Sequence, residues 1–277
     1  MTRLTTSDIC DISNKLVDHD RELLSNTGRS LFGIACHAIG ADESNKRVYA
    51  RSFNIHVIPV TSGLGVISDF SETVCAILVF LGFKARISKR SDVCGIAGAY
   101  EEKADAVMMA DDHRFVGINL NSRMVADNTE MTGQVFAAAL DLSADGLKYQ
   151  TVLIMGCGPV GKAAAMRLLA FNAKLVLCDK NITTAQTLKK QLLDRRKKSD
   201  VKVEKHDQLD ILKYQYIIEA TSSGDTITDK QVSAKTIVAA PGVPLGVSLP
   251  GCRMLAGRLV HDKLELGVAA MAVSLLL

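Results

Sequence analysis

A glycine-rich turn between two apolar segments limits the possible folds of this chain most strongly. Residues 151–155 (TVLIM) are typical of a buried parallel strand, and they run directly into the GCGPVG sequence at 156–161. A helical pattern follows at 162–171, and a second apolar strand at 174–177 ends beside Asp179. This order of strand, GxGxxG, helix, strand and acid predicts a Rossmann-type dinucleotide-binding unit, in which the acid stands about 20 residues after the first glycine.

Each position of this motif has a physical reason. Gly156 allows the tight turn, Gly158 lets a pyrophosphate approach the backbone, and Gly161 lets the helix pack closely on the strand. The helix N-terminus offers free N–H groups and partial positive charge to phosphates. Asp179 can accept hydrogen bonds from the adenosine ribose and repels a 2′-phosphate, which favours NAD over NADP, although Lys180 beside it opposes this preference.

The second half of the chain continues with strands and ends in an apolar segment. Strands are predicted at 201–204, 216–220 and 236–240, with a helix at 183–193. Because ligands of such sheets bind beyond the carboxyl ends of strands, the loops after the last two strands are candidates to flank the nicotinamide ribose. Residues 264–277 are strongly apolar. A helix packed against the first domain would cover them, and a dimer contact is the alternative.

The first half also alternates between helical and extended patterns, after a helical N-terminal extension. This predicts an α/β fold: an N-terminal α/β domain with a helical extension, a C-terminal Rossmann NAD-binding domain, and a final helix near their junction. We expect domains at 1–145, for substrate, and 146–277, for NAD. The predicted helices are 7–40, 71–83, 93–103 and 129–142, the strands are 55–60, 83–88 and 106–109, and the polar stretch 41–54 is a loop.

Composition excludes several classes of protein. Hydrophobic residues make up 48%, which predicts a packed core, and a net charge of +3 gives no case for nucleic acid binding. The seven cysteines form no CxxC pair, and the six histidines have no metal-site spacing, so we expect no metal. We find no signal peptide and no apolar run long enough for a membrane span, and we expect a cytoplasmic protein.

Several further motifs resemble one known family. These are Leu4-Thr5, PVTSGxG at 59–65, Phe70-Ser71, MADD at 109–112, Thr132-Gly133, the glycine motif at 156–161, EAT at 219–221, PGxP at 241–244 and Leu266-Gly267. Together they are similar to the PylD family, the dehydrogenases of pyrrolysine biosynthesis, over nearly the whole length.

The resemblance implies a reaction. The substrate would be the isopeptide of 3-methyl-D-ornithine with the ε-amine of L-lysine. The carbon that bears the ornithine side-chain amine gives a hydride to NAD, and the resulting imine loses ammonia by hydrolysis. The ornithine α-amine then closes on the aldehyde, which gives the pyrroline ring of L-pyrrolysine.

The resemblance also assigns site residues by matching positions. Substrate contacts are expected from Leu4, Thr5, Ser62, Gly63, Leu64, Gly65, Val66, Phe70 and Asp111, of which Asp111 is the catalytic candidate. Cofactor contacts are expected from Gly156, Gly158, Pro159, Val160, Gly161, Asp179, Thr221, Ser222, Ser223, Ala240, Pro241 and Leu264.

The chain departs from the family pattern in three places. Leu64 replaces an Asn of the family loop, which weakens any side-chain hydrogen bond there. Ser222-Ser223 replaces Pro-Cys, and Leu264-Glu265 replaces Glu-Pro. The last two changes permit backbone contacts at these positions but leave the roles of the side chains open.

Asp111 follows a predicted strand, where its carboxylate can face a cleft and pair with a substrate ammonium. Hydride leaves readily only from a neutral amine, and a nearby carboxylate favours the charged form. Asp111 is therefore either the base that removes the proton or the anchor of another amine. Its neighbour Asp112 is expected to be a surface turn acid.

Two alternatives to this function remain open. One is another two-domain dehydrogenase with a small amino acid-like, shikimate-like or folate substrate, although the turns at 61–65 and 109–113 lack the lysine of a shikimate-type Lys–Asp pair. The other is an NAD-binding sensor without catalysis. The partners that we expect are the small isopeptide, no nucleic acid, no membrane and, as a possibility, a second copy of the chain.

Overall fold

Among the residues that the structure describes, four helices precede the first strand of the chain. The computed structural model describes residues 4–64 and 67–277. The predicted N-terminal helical region forms three helices, and a fourth follows: α1 (Thr6–Ile9), α2 (Ile12–Thr27), α3 (Leu31–Ile39) and α4 (Glu43–Ala50).

Helix α4 corrects the prediction of a loop over 41–54. Asp42 Oδ1 accepts the backbone N–H of Asn45 at 2.8 Å and so caps the helix, and Glu43 pairs with Arg47 at 2.9 Å. A capped helix with such a pair forms without the apolar stripe on which the sequence prediction depended.

The first sheet combines parallel and antiparallel strands. Its order is β2-β1-β3-β4-β5, in which β1, β2 and β3 are parallel and β4 and β5 are antiparallel. The strands are β1 (Asn54–Val57), β2 (Lys84–Ile87), β3 (Ala106–Ala110), β4 (Phe115–Asn119) and β5 (Val125–Asp127), with helices α5 (Phe70–Phe80) and α6 (Asp92–Glu101). Strands β4 and β5 were not predicted. They are short and bury only alternate residues.

A long helix leads into the second sheet. Helix α7 (Asn128–Ser143) is followed by six parallel strands in the order β11-β10-β9-β6-β7-β8. The strands are β6 (Thr151–Met155), β7 (Lys174–Asp179), β8 (Val201–Lys205), β9 (Tyr216–Glu219), β10 (Ile237–Ala239) and β11 (Leu259–Val260), and the helices are α8 (Pro159–Ala170), α9 (Ile182–Arg195) and α10 (Leu249–Met254). The predicted α/β architecture is confirmed.

The last helix, α11 (Glu265–Ser274), is buried along its whole length. It packs against α3, α5 and α7, all of which precede the second sheet in the chain. Asn119 Nδ2 donates to the Leu275 carbonyl oxygen at 2.8 Å, and Lys46 Nζ donates to that of Leu276 at 2.6 Å. The apolar terminal segment is thus covered by other helices of the same chain, as the prediction of a helix packed against the first domain stated.

No helix within residues 4–64 and 67–277 is both long enough and apolar enough to cross a membrane.

Candidate functional site

A cleft of about 660 Å³ lies between the two sheets. Its walls come from the carboxyl ends of β1 and β3 in the first sheet and of β6, β7 and β9 in the second. Of the predicted site residues, those that line it are Leu4, Ser62, Phe70, Asp111, Gly156, Gly158, Pro159, Val160, Asp179, Thr221, Ser222, Ser223, Pro241 and Leu264.

The three glycines of the GxGxxG motif have different surroundings. Gly156 has φ 88°, and a Cβ there would lie 2.5 Å from the Ala220 carbonyl oxygen. A Cβ on Gly161 would overlap the Gly156 carbonyl oxygen, so Gly161 serves helix packing, although it does not line the cleft. A Cβ on Gly158 would meet no described atom within 4 Å. Since packing inside the chain does not require Gly158, the glycine leaves open space at the N-terminus of α8 for a ligand.

Asp179 stands at the end of β7 with both carboxylate oxygens bonded to the backbone. Oδ2 accepts the N–H of Cys157 at 2.8 Å, and Oδ1 accepts the N–H of Asn181 at 2.9 Å. The first bond ties the carboxylate to the glycine-rich turn. Each carboxylate oxygen retains a further lone pair, so Asp179 can still accept a hydroxyl. Lys180 and His206 line the same end of the cleft.

Asp111 lies exposed in the turn between β3 and β4. Its Oδ1 accepts the backbone N–H groups of Arg114 at 2.7 Å and of His113 at 2.8 Å. These two bonds hold the pKa of the Asp111 carboxyl below its ordinary value. A carboxylate with a lowered pKa is a poor proton acceptor near neutral pH. The geometry therefore favours an ammonium anchor over a general base.

Asp112, in the β3–β4 turn, contacts the turn at 62–64, which was predicted to bind substrate. Its Oδ2 accepts the backbone N–H of Leu64 at 2.7 Å. Gly63 has φ 77°, and a Cβ there would overlap the Asp112 carboxylate. Gly63 and Leu64 do not line the cleft, and the turn that they form holds Ser62 in its wall. Asp112 is an exposed acid in the β3–β4 turn, as expected, and it also holds the 62–64 turn in place.

Two further predicted residues, Thr5 and Ala240, do not line the cleft. Thr5 does not line the cleft: its N–H and its hydroxyl both donate to Asp8 Oδ2, at 2.9 and 2.7 Å, and it begins α1. Ala240 is fully buried, and its carbonyl oxygen accepts a hydrogen bond from His261 Nδ1 at 2.7 Å. Gly65 and Val66 fall outside the described residues.

The cleft contains polar residues that the sequence interpretation did not single out as site residues. Asn128 and Thr132 of α7, Thr226 after β9, Arg114 before β4, and Lys263 before α11 all line it. The pair Thr132-Gly133 stood among the family motifs, but no spacing rule assigned a ligand to it. Asn128, Thr132 and Lys263 reach the cleft through the packing of α7 and α11, which sequence periodicity does not specify.

No group of three His, Cys, Asp or Glu side chains is placed to hold a metal ion in the two described segments.

Comparison with known proteins identifies relatives along the whole chain. Residues 8–126 match the model of the pyrrolysine biosynthesis protein PylD, N-terminal domain. The chain is 30% identical to the pyrrolysine synthase of Methanosarcina barkeri, with 100% of this chain and 98% of that protein covered. It is 28% identical to the pyrrolysine synthase of Methanosarcina acetivorans, with 100% of both covered.

One solved structure extends the comparison to the fold. The quinate dehydrogenase from Corynebacterium glutamicum, in complex with NAD, aligns with a TM-score of 0.54 at 16% identity, and the alignment covers 81% of this chain and 93% of that one. At this identity the likeness concerns the fold alone.

Proposed function

The chain belongs to the PylD family of pyrrolysine synthases, and from this premise we propose that it is an NAD-dependent dehydrogenase that forms L-pyrrolysine. The substrate is 3-methyl-D-ornithyl-N6-L-lysine. Oxidation at the carbon that bears the ornithine side-chain amine, release of ammonia and closure of the pyrroline ring give the product.

The open space at Gly158 is the observation that carries the cofactor part of this proposal. Gly156 and Gly161 are explained by close backbone contacts, whereas Gly158 has none within 4 Å among the described atoms. A dinucleotide explains this glycine, because the pyrophosphate needs the N–H groups of Gly158 and Val160 without an intervening side chain. The residues present therefore fit NAD, which when bound supplies the hydride acceptor.

Asp179 is the proposed selector of NAD over NADP. Its carboxylate is fixed by Cys157 and Asn181, and it faces the cleft. It can receive the ribose hydroxyls, and its charge repels a 2′-phosphate. The cationic Lys180 nearby attracts phosphate, so the selectivity depends on the fixed position of Asp179.

The substrate is proposed to bind where the first sheet meets the cleft. Asp111 holds a substrate ammonium, and Ser62 offers a hydroxyl to the amide or carboxylate. Phe70 packs edge-on against Phe115, with ring centroids 5.3 Å apart, and forms with Leu4 an apolar wall for the methylene chain. An ammonium held by Asp111 stays charged, so we propose that this is not the amine at the carbon that loses the hydride.

We also propose a division of labour between the two parts of the chain, a cellular location and an oligomeric state. Residues 1–145 carry the substrate contacts and residues 146–277 carry NAD, in a cytoplasmic enzyme that can act as a homodimer.

The test is incubation of the purified chain with NAD and the synthetic isopeptide. We expect NADH absorbance and a product that lacks one ammonia and two hydrogens by mass. A different two-domain dehydrogenase would form NADH with another small amine or hydroxy acid but not with the isopeptide. A sensor would be protected from unfolding by NAD and would give no absorbance change with any substrate.

Gly158→Asp is the matched variant for this experiment. A Cβ there meets no described atom within 4 Å, and Asp is a favoured residue at the N-cap position that Gly158 occupies, so the melting temperature is expected to stay close to that of the wild type. The added carboxylate repels the pyrophosphate, so NAD binding and turnover are expected to be lost together. Unchanged NAD affinity in this variant would contradict the proposed cofactor site.

A further inference from the structure

The carboxyl group of Glu219 is buried directly behind the cleft wall, at the end of β9. Its side chain is fully buried in the centre of the second sheet. The loop that follows β9 contributes Thr221 and Thr226 to the cleft, and the loop after β10 contributes Gly242. In the sequence, Glu219 stood out only as part of the EAT motif at 219–221, and no function was predicted for it.

The two loops close around this one side chain. Glu219 Oε1 accepts the N–H of Thr221 at 3.1 Å and the hydroxyl of Thr221, and it lies 3.0 Å from the Thr226 hydroxyl. Its Oε2 lies so near Gly246 that a Cβ there would overlap it, and a Cβ on Gly242 would be 3.2 Å away. Glycines at 242 and 246 thus allow the β10 loop to rest on the carboxyl group.

The hydrogen-bond pattern indicates that this acid carries its proton. The Thr226 hydroxyl has one hydrogen, and two acceptors compete for it: Glu219 Oε1 at 3.0 Å and the Gly246 carbonyl oxygen at 2.9 Å. If Glu219 is protonated, it donates to Thr226, and Thr226 donates to Gly246, so that each contact is a hydrogen bond.

Burial supports the same protonation state. Within the described part of the chain, Oε2 has no hydrogen-bond partner. Burying a carboxylate oxygen without a hydrogen-bond partner costs much free energy of desolvation. Burying the carbonyl oxygen of a neutral carboxylic acid costs less. Burial raises the pKa of the Glu219 carboxyl, while Thr221, Thr226 and the nearby backbone N–H of Gly246, which makes no well-formed bond to Oε2, oppose the increase.

We propose that Glu219 is a positioning residue which, as an uncharged acid, joins the β9 and β10 loops behind the nicotinamide end of the cleft. This inference rests on the proposed function for the identity of the coenzyme. The absence of charge has a chemical purpose, because the oxidised nicotinamide ring is cationic and the reduced ring is neutral. A carboxylate behind it would stabilise the oxidised form and oppose hydride transfer to it.

Infrared difference spectroscopy of the coenzyme-free chain tests the charge state. The spectrum of the wild type minus that of Glu219→Gln is expected to contain the carbonyl stretch of a protonated carboxylic acid at neutral pH. A carboxylate band in its place would overturn the proposal. This readout needs neither coenzyme nor isopeptide, so it decides the matter even if the proposed function fails.

Calorimetric titration with NAD and with NADH tests the positioning role. Gln keeps the length and neutrality of the side chain, so Glu219→Gln is expected to bind both forms within roughly twofold of the wild type. Asp is one methylene shorter and loses the contacts to both threonines, so Glu219→Asp is expected to weaken both by roughly threefold to tenfold. If Gln weakens NAD selectively and leaves NADH unchanged, Glu219 is ionised in the wild type and the proposal is wrong.

Discussion

Gly133 of α7 lies against the Val160 carbonyl oxygen of α8, so close that a Cβ on Gly133 would overlap this oxygen. The same Cβ would lie 2.6 Å from that of Ala163. Val160 belongs to the first turn of α8, which faces the cleft. The contact with Gly133 therefore fixes the position of the α8 N-terminus, where the pyrophosphate is proposed to bind, relative to α7.

Gly133→Ala is therefore expected to push α8 away from α7. We predict a loss of about 1–3 kcal/mol in the free energy of unfolding, measured by denaturant titration, because the close packing leaves no space for a methyl group. The Kd for NAD is expected to increase in the same variant.

The matched control is Gly98→Ala in α6, where a Cβ meets no described atom within 4 Å. Alanine is the better helix former, so this variant should gain roughly 0.5–1 kcal/mol. Equal behaviour of the two variants would contradict the packing argument.

Asp179→Asn tests the coenzyme preference. The amide keeps the size of the side chain and can still accept a hydrogen bond from Cys157, but it removes the negative charge. We expect the ratio of NAD to NADP affinity to fall by about tenfold or more, because the repulsion of a 2′-phosphate is lost and Lys180 remains. Calorimetric titration with both coenzymes measures the ratio, and an unchanged ratio would exclude Asp179 as the selector.

Asp111→Asn separates an anchor from a base. For an ammonium anchor, we expect KM for the isopeptide to increase about tenfold or more, with little change in the pH profile of kcat. The N–H groups of Arg114 and His113 already lower the pKa of the Asp111 carboxyl. This carboxyl is therefore expected to stay ionised at the near-neutral pH values at which kcat is measured. Loss of an entire limb of the kcat profile in the variant would instead identify a general base.

His19 is expected to make the stability of the chain depend on pH. Burial alone would lower its pKa, but the hydrogen bond to Asp262 and the charges of Asp262 and Glu265 raise the pKa of His19 to about 9. The raised pKa adds stability that is fully present below the unfolded value of about 6.5 and is lost as the pH rises through about 9. The free energy of unfolding should therefore decrease across this window.

His19→Asn removes this titration. We expect the variant to lose about 3 kcal/mol near neutral pH, because the buried Asp262 loses its charged partner. Its stability should also change less between pH 6.5 and about 9 than that of the wild type. Denaturant titration at several pH values measures both effects, and parallel curves for the two proteins would refute the assignment.

The second sheet could be predicted well because its signals are local. The segment from 151 to 179 contains continuous apolar strands, a glycine motif and an acid at a known spacing, and all of them depend on neighbouring residues. The ends of β6, α8 and β7 accordingly lie within a few residues of the predicted ones.

The first sheet was less predictable because part of it depends on contacts between distant segments. Strand β4 is stabilised by pairing with β3, and β5 by pairing with β4; Phe115–Asn119 contains a glycine and buries only alternate residues. Helix α4 lacks an apolar stripe and is stabilised by Asp42 and by the Glu43–Arg47 pair.

Most of the predicted site residues line one cleft, but the structural roles of several residues in and around it could not be predicted from the sequence. Asp112 and Leu64 are 48 positions apart, and only the folded chain shows that one holds the other in place. The same applies to Glu219, whose burial depends on the strands on both sides of β9 and on the two loops that cover it.

The position of α11 has a consequence for the order in which the molecule can be built. The core beside the first sheet is completed by residues 265–274, which leave the ribosome after the whole dinucleotide-binding sheet. The half of the chain that contains the first sheet therefore cannot finish folding while the second sheet is still being synthesised. If either half is transferred to another protein by a cut near residue 145, α11 must stay with the half that contains the first sheet.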